Sequence, residues 1–178
     1  MNRGRTTPAS TAGSFTAKAG VPSRVKVPLD GVEGGTVTRF DGGFEYKDAD
    51  RALHRDPAEG PACQSGGGPV AGGSEEYFVH GLMDRDPADG PASQWDGGVA
   101  NGGGEEFRVA DRLHRDPKDG PARQDGGGVA RGGSEEYRVN GVRHRPIADG
   151  PAYTWGGGYA NGGGEQYWVD GVEVVPWP

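Results

Sequence analysis

Four histidines and 26 carboxylate side chains are the groups in this 178-residue chain best suited to chemistry. His54, His114 and His144 occupy one position of a recurring segment, and Asp84 takes that position in another copy. A ladder of imidazoles could hold a metal. The same residues in "HRDP" segments also suit a structural role, with His and Arg pairing to turn acids of adjacent copies, and that role is the expectation. The acidic turns "DRDPADG" (84–90) and "DPKDG" (116–120) offer oxygens to calcium. They lack an Asp-x-Asp-x-Asp-Gly loop and are read as solvated turns. Glycine-rich stretches cradle phosphate when a helix N-terminus and usually a Lys follow; here strand-like residues follow. Glu105 and Glu106 alternate to opposite faces of a strand, so they cannot flank one bond. Cys63 is the only cysteine, which excludes an intramolecular disulfide. Its counterparts in other copies are Ser93, Arg123 and Tyr153, as expected of an incidental thiol. The sequence therefore assigns no catalytic, cofactor-binding or metal residues, and the expected chain is not an enzyme.

The elements that would position these groups come from a repeat. Gly-Pro-Ala stands at 60–62, 90–92, 120–122 and 150–152, a period of thirty. Each copy continues through a glycine-rich stretch into "EEYFV", "EEFRV", "EEYRV" or "EQYWV". Gly and Pro supply 50 of the 178 residues, whereas Leu, Ile, Val and Phe supply only 26. This composition excludes long helices and a single large core, but recurring aromatic and Val positions argue against disorder. Tyr77/Val79, Phe107/Val109, Tyr137/Val139 and Tyr167/Val169 are pairs two residues apart, hence on one face of a strand. They form the expected core seam. Asn140-Gly141 and Asp170-Gly171 then mark tight hairpin turns, and each Asp-Gly-Pro-Ala segment marks a second turn. The expected fold is all-β: stacked hairpins of about thirty residues forming an elongated twisted sheet or β-solenoid. The repeat domain is placed at 30–178 and an extended basic arm at 1–29.

Residues "LHRDPKDGPA…EEYRVNGVRHR" resemble the HR-x-DGPA repeats of MORN-like proteins from phages, viruses and bacteria. The resemblance spans about 36–172 and rests on Asn140-Gly141, His144-Arg145 and Asp149-Gly150-Pro151-Ala152. Most units here differ by an inserted glycine loop and by added residues between Arg and Asp-Gly. The resemblance implies hairpin repeats and protein-interaction roles, antitoxin-like ones included, with no catalytic residues. The segment "TPASTAGSFTAKAG" is similar to leaders of actinobacterial phage and mobile-element proteins.

Charge and aromatic placement shape the functional expectation. Residues 1–29 hold five basic side chains and no acid, so the remainder carries 14 bases against 26 acids, or −12. An acidic body repels nucleic acid. No apolar run reaches the ~20 residues of a membrane span, and the polar beginning lacks a signal-peptide pattern. The expected location is the host cytoplasm or a virion. Phe78 and Trp168 lie opposite the Tyr/Val seam; with Trp95, Tyr153 and Trp155 they form the candidate partner-binding set. The expected partner is another protein or copies of the chain itself. The leading function is a non-enzymatic docking module of phage or mobile-element origin. Alternatives are a virion structural protein, such as a decoration, cement or tail component that uses its arm for assembly, and an inhibitor or antitoxin-like protein.

Overall fold

A computed structural model of the chain describes residues 25–28 and 34–176. The described residues contain strands and 3-10 turns and no α-helix. The first unit comprises β1 (Val25–Pro28), β2 (Thr36–Phe40) and β3 (Gly43–Lys47). The next has β4 (Cys63–Ser65), β5 (Ser74–Glu76), β6 (Phe78–Val79) and β7 (Leu82–Met83). Then come β8 (Ser93–Trp95), β9 (Gly104–Glu106), β10 (Arg108–Val109) and β11 (Arg112–Leu113). These are followed by β12 (Arg123–Asp125), β13 (Ser134–Glu136), β14 (Arg138–Val139) and β15 (Val142–Arg143). The last unit holds β16 (Tyr153–Trp155), β17 (Gly164–Val169) and β18 (Val172–Val174). The main sheet is an antiparallel meander in the order β1-β2-β3-β4-β5-β8-β9-β12-β13-β16-β17-β18. Three two-stranded ladders, β6-β7, β10-β11 and β14-β15, accompany it. The fold is therefore all-β and built of stacked hairpins.

The segment "EEYRV" does not form one continuous strand in the middle units. Pairing changes partner at the aromatic residue. The backbone N–H of Tyr77, Phe107 and Tyr137 donates to Ala92, Ala122 and Ala152 of the following unit, whereas their carbonyls accept from Asp84, His114 and His144. The chain bends there, and the next two residues enter a separate hairpin. This corrects the seam at its valines. Val109 sits beside a hairpin turn and is 37% exposed, while Phe107 is 4% exposed. Val79 and Val139 hold the equivalent places in β6 and β14 and are half-buried. Tyr137 is buried and Tyr77 half-buried. In the last unit β17 runs unbroken, with Tyr167 opposite Val174 and Val169 opposite Val172; both Tyr167 and Val169 are half-buried.

The deepest positions are Ala62, Ala92, Ala122 and Ala152, each 0% exposed. They are the last residues of the Gly-Pro-Ala triplets, so the triplet supplies core as well as a turn. Beside them, the guanidinium groups of Arg55, Arg85, Arg115 and Arg145 lie 3.8–4.4 Å from the ring centroids of Tyr46, Tyr77, Phe107 and Tyr137. Each arginine also donates through Nη1 to the carbonyl of Pro61, Pro91, Pro121 or Pro151, at 2.9–3.2 Å. The arginine thus ties the Asp-Gly-Pro turn down over the aromatic ring. The turn glycine is required twice. Gly120 has φ +127, and a Cβ there would stand 2.9 Å from Arg115 Nη1. These arginines do not pair with turn acids, contrary to the expectation from "HRDP".

His144 meets the expectation, with Nδ1 3.0 Å from Asp170 Oδ1 in the next unit's turn, but the contact that the repeated histidines share is to backbone. His54, His114 and His144 accept through Nδ1 from the backbone N–H of His80, Asn140 and Asp170, at 3.0–3.1 Å. Asp84 fills the same role with Oδ1, accepting from Ala110 at 3.2 Å. The position requires an acceptor aimed at the next unit's turn, which His and Asp both provide. Those turns have positive φ at both central residues, as in Asn140 (51°) and Gly141 (82°), matching the hairpin type expected from Asn-Gly.

Val25–Pro28 fell within the segment read as an arm. They pair with Thr36–Arg39 instead, so the sheet begins before residue 30. The rest of that segment, residues 1–24 and 29, lies outside the described residues, as does Trp177.

Candidate functional site

The register places one row of side chains on a single sheet face: Glu45, Cys63, Glu76, Ser93, Glu106, Arg123, Glu136, Tyr153 and Gln166. A second row on that face contains the matched pairs Phe40/Gly43, Ser65/Ser74, Trp95/Gly104, Asp125/Ser134 and Trp155/Gly164. The pairing is complementary in volume. Wherever a large ring occupies one strand, glycine faces it, because a Cβ on Gly104 or Gly164 would collide with Trp95 or Trp155. Where the side chain is small or acidic, serine faces it, and the Ser65 and Ser74 hydroxyls hydrogen-bond at 2.9 Å. The two indoles therefore lie across the neighbouring strand.

Three of the expected partner-binding residues come together near β16 and β17. Tyr153 and Trp155 stack with centroids 5.2 Å apart. Arg143 bridges toward Trp168, with its guanidinium 4.8 Å from the Tyr153 centroid and 5.1 Å from the Trp168 centroid. Gln166 Oε1 accepts from Arg143 Nη1 at 3.2 Å and from Trp168 Nε1 at 3.4 Å. Trp155 is 38% exposed. Phe78 and Trp95 are half-buried and belong to other units, Trp95 four strands before Trp155 in the sheet order.

Below the rings is an ion-pair network that sequence reasoning did not identify. Glu136 Oε1 meets Arg138 at 2.8 Å and Arg143 at 2.6 Å. Burial pushes the Glu136 carboxyl up, but hydrogen bonds from Arg138 and Arg143 outweigh it and hold the group below the ordinary range. Arg123 binds Asp125 at 2.8 Å and approaches Glu106 at 3.4 Å. A cavity of about 250 Å³ is lined by Arg123, Asp125, Ser134, Glu136, Arg143 and Tyr153. The usable signal was period two extended past the aromatic: Glu136 and Arg138 share a face. The contribution of Arg143 depends on the hairpin that returns it to Glu136.

Toward the first unit Glu45 pairs with Lys47 at 2.9 Å, whereas Glu76 has no cation of this kind among the described residues. Burial, together with the charge of Glu106, raises the Glu76 carboxyl. Cys63, between Glu45 and Glu76, has its thiol pushed up to about 11 by burial and by those two carboxylates. It is an inert thiol rather than a nucleophile. The face thus combines an acidic end with an aromatic and arginine-rich end. No helix among the described residues is long and apolar enough to cross a membrane. No family model matches the chain, and no curated protein or solved structure matches it.

Proposed function

We propose that the chain is a non-enzymatic protein-interaction module of phage or mobile-element origin that docks another protein on the sheet face bearing Tyr153, Trp155 and Trp168. The observation that carries this reading is the stacked Tyr153–Trp155 pair, with Trp155 partly exposed and Arg143 over the Tyr153 ring. Clustered aromatic and arginine side chains are enriched where binding energy concentrates. The acidic end of the same face, farther along the sheet, suits a partner that carries basic groups beyond its apolar patch, and such complementarity accelerates association. The origin is supported only by the resemblance of the repeats and leader.

A second reading, self-assembly as a virion component, has one observation in its favour. β18 ends the order of described strands, and its first residue, Val172, is exposed. Photocrosslinking separates the readings. A benzophenone amino acid replaces Trp155 in the full chain, and a control carries it at the exposed Val70 of a glycine loop. A single stoichiometric cross-link to a different protein from position 155 alone supports docking, whether as a module or an inhibitor. A cross-link only to a second copy supports assembly. No product, or identical products from both positions, overturns the proposed face.

A further inference from the structure

We propose that Asp48, His54 and His80 form a binding site for a divalent transition metal of the zinc class, at the junction of the first two units. One donor atom from each residue lies within 4.8 Å of the others. The site follows from two local departures from the repeat. The first unit has an additional residue between Tyr46 and His54, which allows a turn in which Asp48 Oδ1 accepts from the N–H groups of Asp50 and Ala52, both at 3.0 Å. Those bonds fix the carboxylate and direct Oδ2 at His80 Nδ1, 3.1 Å away. The second departure is His80 itself. It occupies the first turn position, held elsewhere by Ala110, Asn140 and Asp170. This brings its ring onto His54, with centroids 4.1 Å apart and planes 14° from parallel.

The donor set favours a borderline metal. Two imidazoles and one carboxylate suit zinc, cobalt, nickel or copper, whereas calcium requires six to eight oxygens. With metal–ligand bonds near 2.0–2.1 Å, ligand atoms of a tetrahedral site are about 3.3 Å apart. Asp48 Oδ2 and His80 Nδ1 already stand near that separation. Near-parallel rings cannot aim both nitrogens at one metal, so His80 turns out of the stack on binding; its side chain is 71% exposed and free to do so, while that of Asp48 is only 10% exposed and anchors the site. The metal replaces the proton between Asp48 and His80. His54 exchanges its bond from the His80 N–H for ligation, which lowers the affinity relative to a site whose ligands are free. Water completes the coordination. Bound metal would fasten the first unit to the second.

Zinc titration of the full chain by calorimetry tests the proposal, with His80→Asn and His54→Asn as site variants and His114→Asn as the control. His80→Asn reproduces the Asn140 turn, and His54→Asn keeps an acceptor for the His80 N–H. Support is one zinc per chain, affinity at least tenfold weaker in both site variants, and no change in the control. X-ray absorption of the zinc-loaded wild-type chain gives a readout independent of variant folding: two imidazoles per metal support the site. No saturable binding, equal affinity in the control and site variants, or a spectrum with fewer than two imidazoles overturns it.

Discussion

An arginine over an aromatic ring recurs in the first four units. Phe107 sits beneath Arg115, whose Nη1 also secures the Pro121 carbonyl. Replacing Phe107 with Ala removes the ring and the surface on which the guanidinium rests, at an expected cost of ~3 kcal/mol. Arg108→Ala removes a largely buried ion pair to Glu106 and a bond to the Asp111 carbonyl but leaves Glu106 its contact with Arg123, and is expected to cost ~1–2 kcal/mol. Urea denaturation of the two variants measures the difference; equal losses would contradict the assigned packing. Cys63 provides a separate check. With its thiol held near 11, the native chain at about pH 8 contains roughly a hundredfold less thiolate than an unfolded chain. Iodoacetamide labelling is accordingly expected to be slow in buffer and fast in denaturant, and equal rates would place the thiol in open solvent.

At the scale of elements, turn chemistry and strand pairing can be tested separately. Ala110 has φ +46 in the turn between β10 and β11, where the fourth unit uses Asn140. Asn tolerates this left-handed conformation better than Ala. Ala110→Asn should therefore stabilise the chain by ~0.5 kcal/mol or more, seen as a higher thermal midpoint. An unchanged or lowered midpoint would show that the turn's strain is relieved elsewhere. The hairpins and their turns were legible because period two and Asn-Gly depend only on near neighbours. The break at Tyr77, Phe107 and Tyr137 was not. It arises when a backbone N–H finds its partner about fifteen residues away while the carbonyl of the same residue pairs locally.

Across the whole molecule, the acidic row sets the pH response. The Glu76 carboxyl is raised in the folded chain, so between its ordinary value of 4.5 and the raised value the folded state holds more protons than the unfolded state. Stability therefore falls as pH rises through that window, and Glu76→Gln should remove the loss. Glu136 behaves oppositely. Its folded value lies below 4.5, so its contribution is present above that value and disappears as pH falls through the folded one. Glu136→Gln should destabilise at neutral pH and leave Arg138 and Arg143 without their common partner. Urea midpoints between about pH 3 and pH 8 test both signs. Parallel curves for wild type and both variants would show that neither carboxyl titrates differently on folding.

The sequence alone determined the period, the all-β class, the two turn types and the aromatic column, because these follow from residue types at fixed local separations. Its composition also anticipated a thin core. Tertiary structure decided which neighbours occupy each face. Alanine became the deepest residue because both adjacent strands close over it. "HRDP" arginines turned from acids toward rings and proline carbonyls because each turn folds back onto its own aromatic. Arg143 joined Tyr153 and Trp168 only through a hairpin and two sheet pairings, and Asp48 reached His80 across 32 residues. Such contacts depend on register between distant strands, a property of the assembled sheet rather than of any one segment.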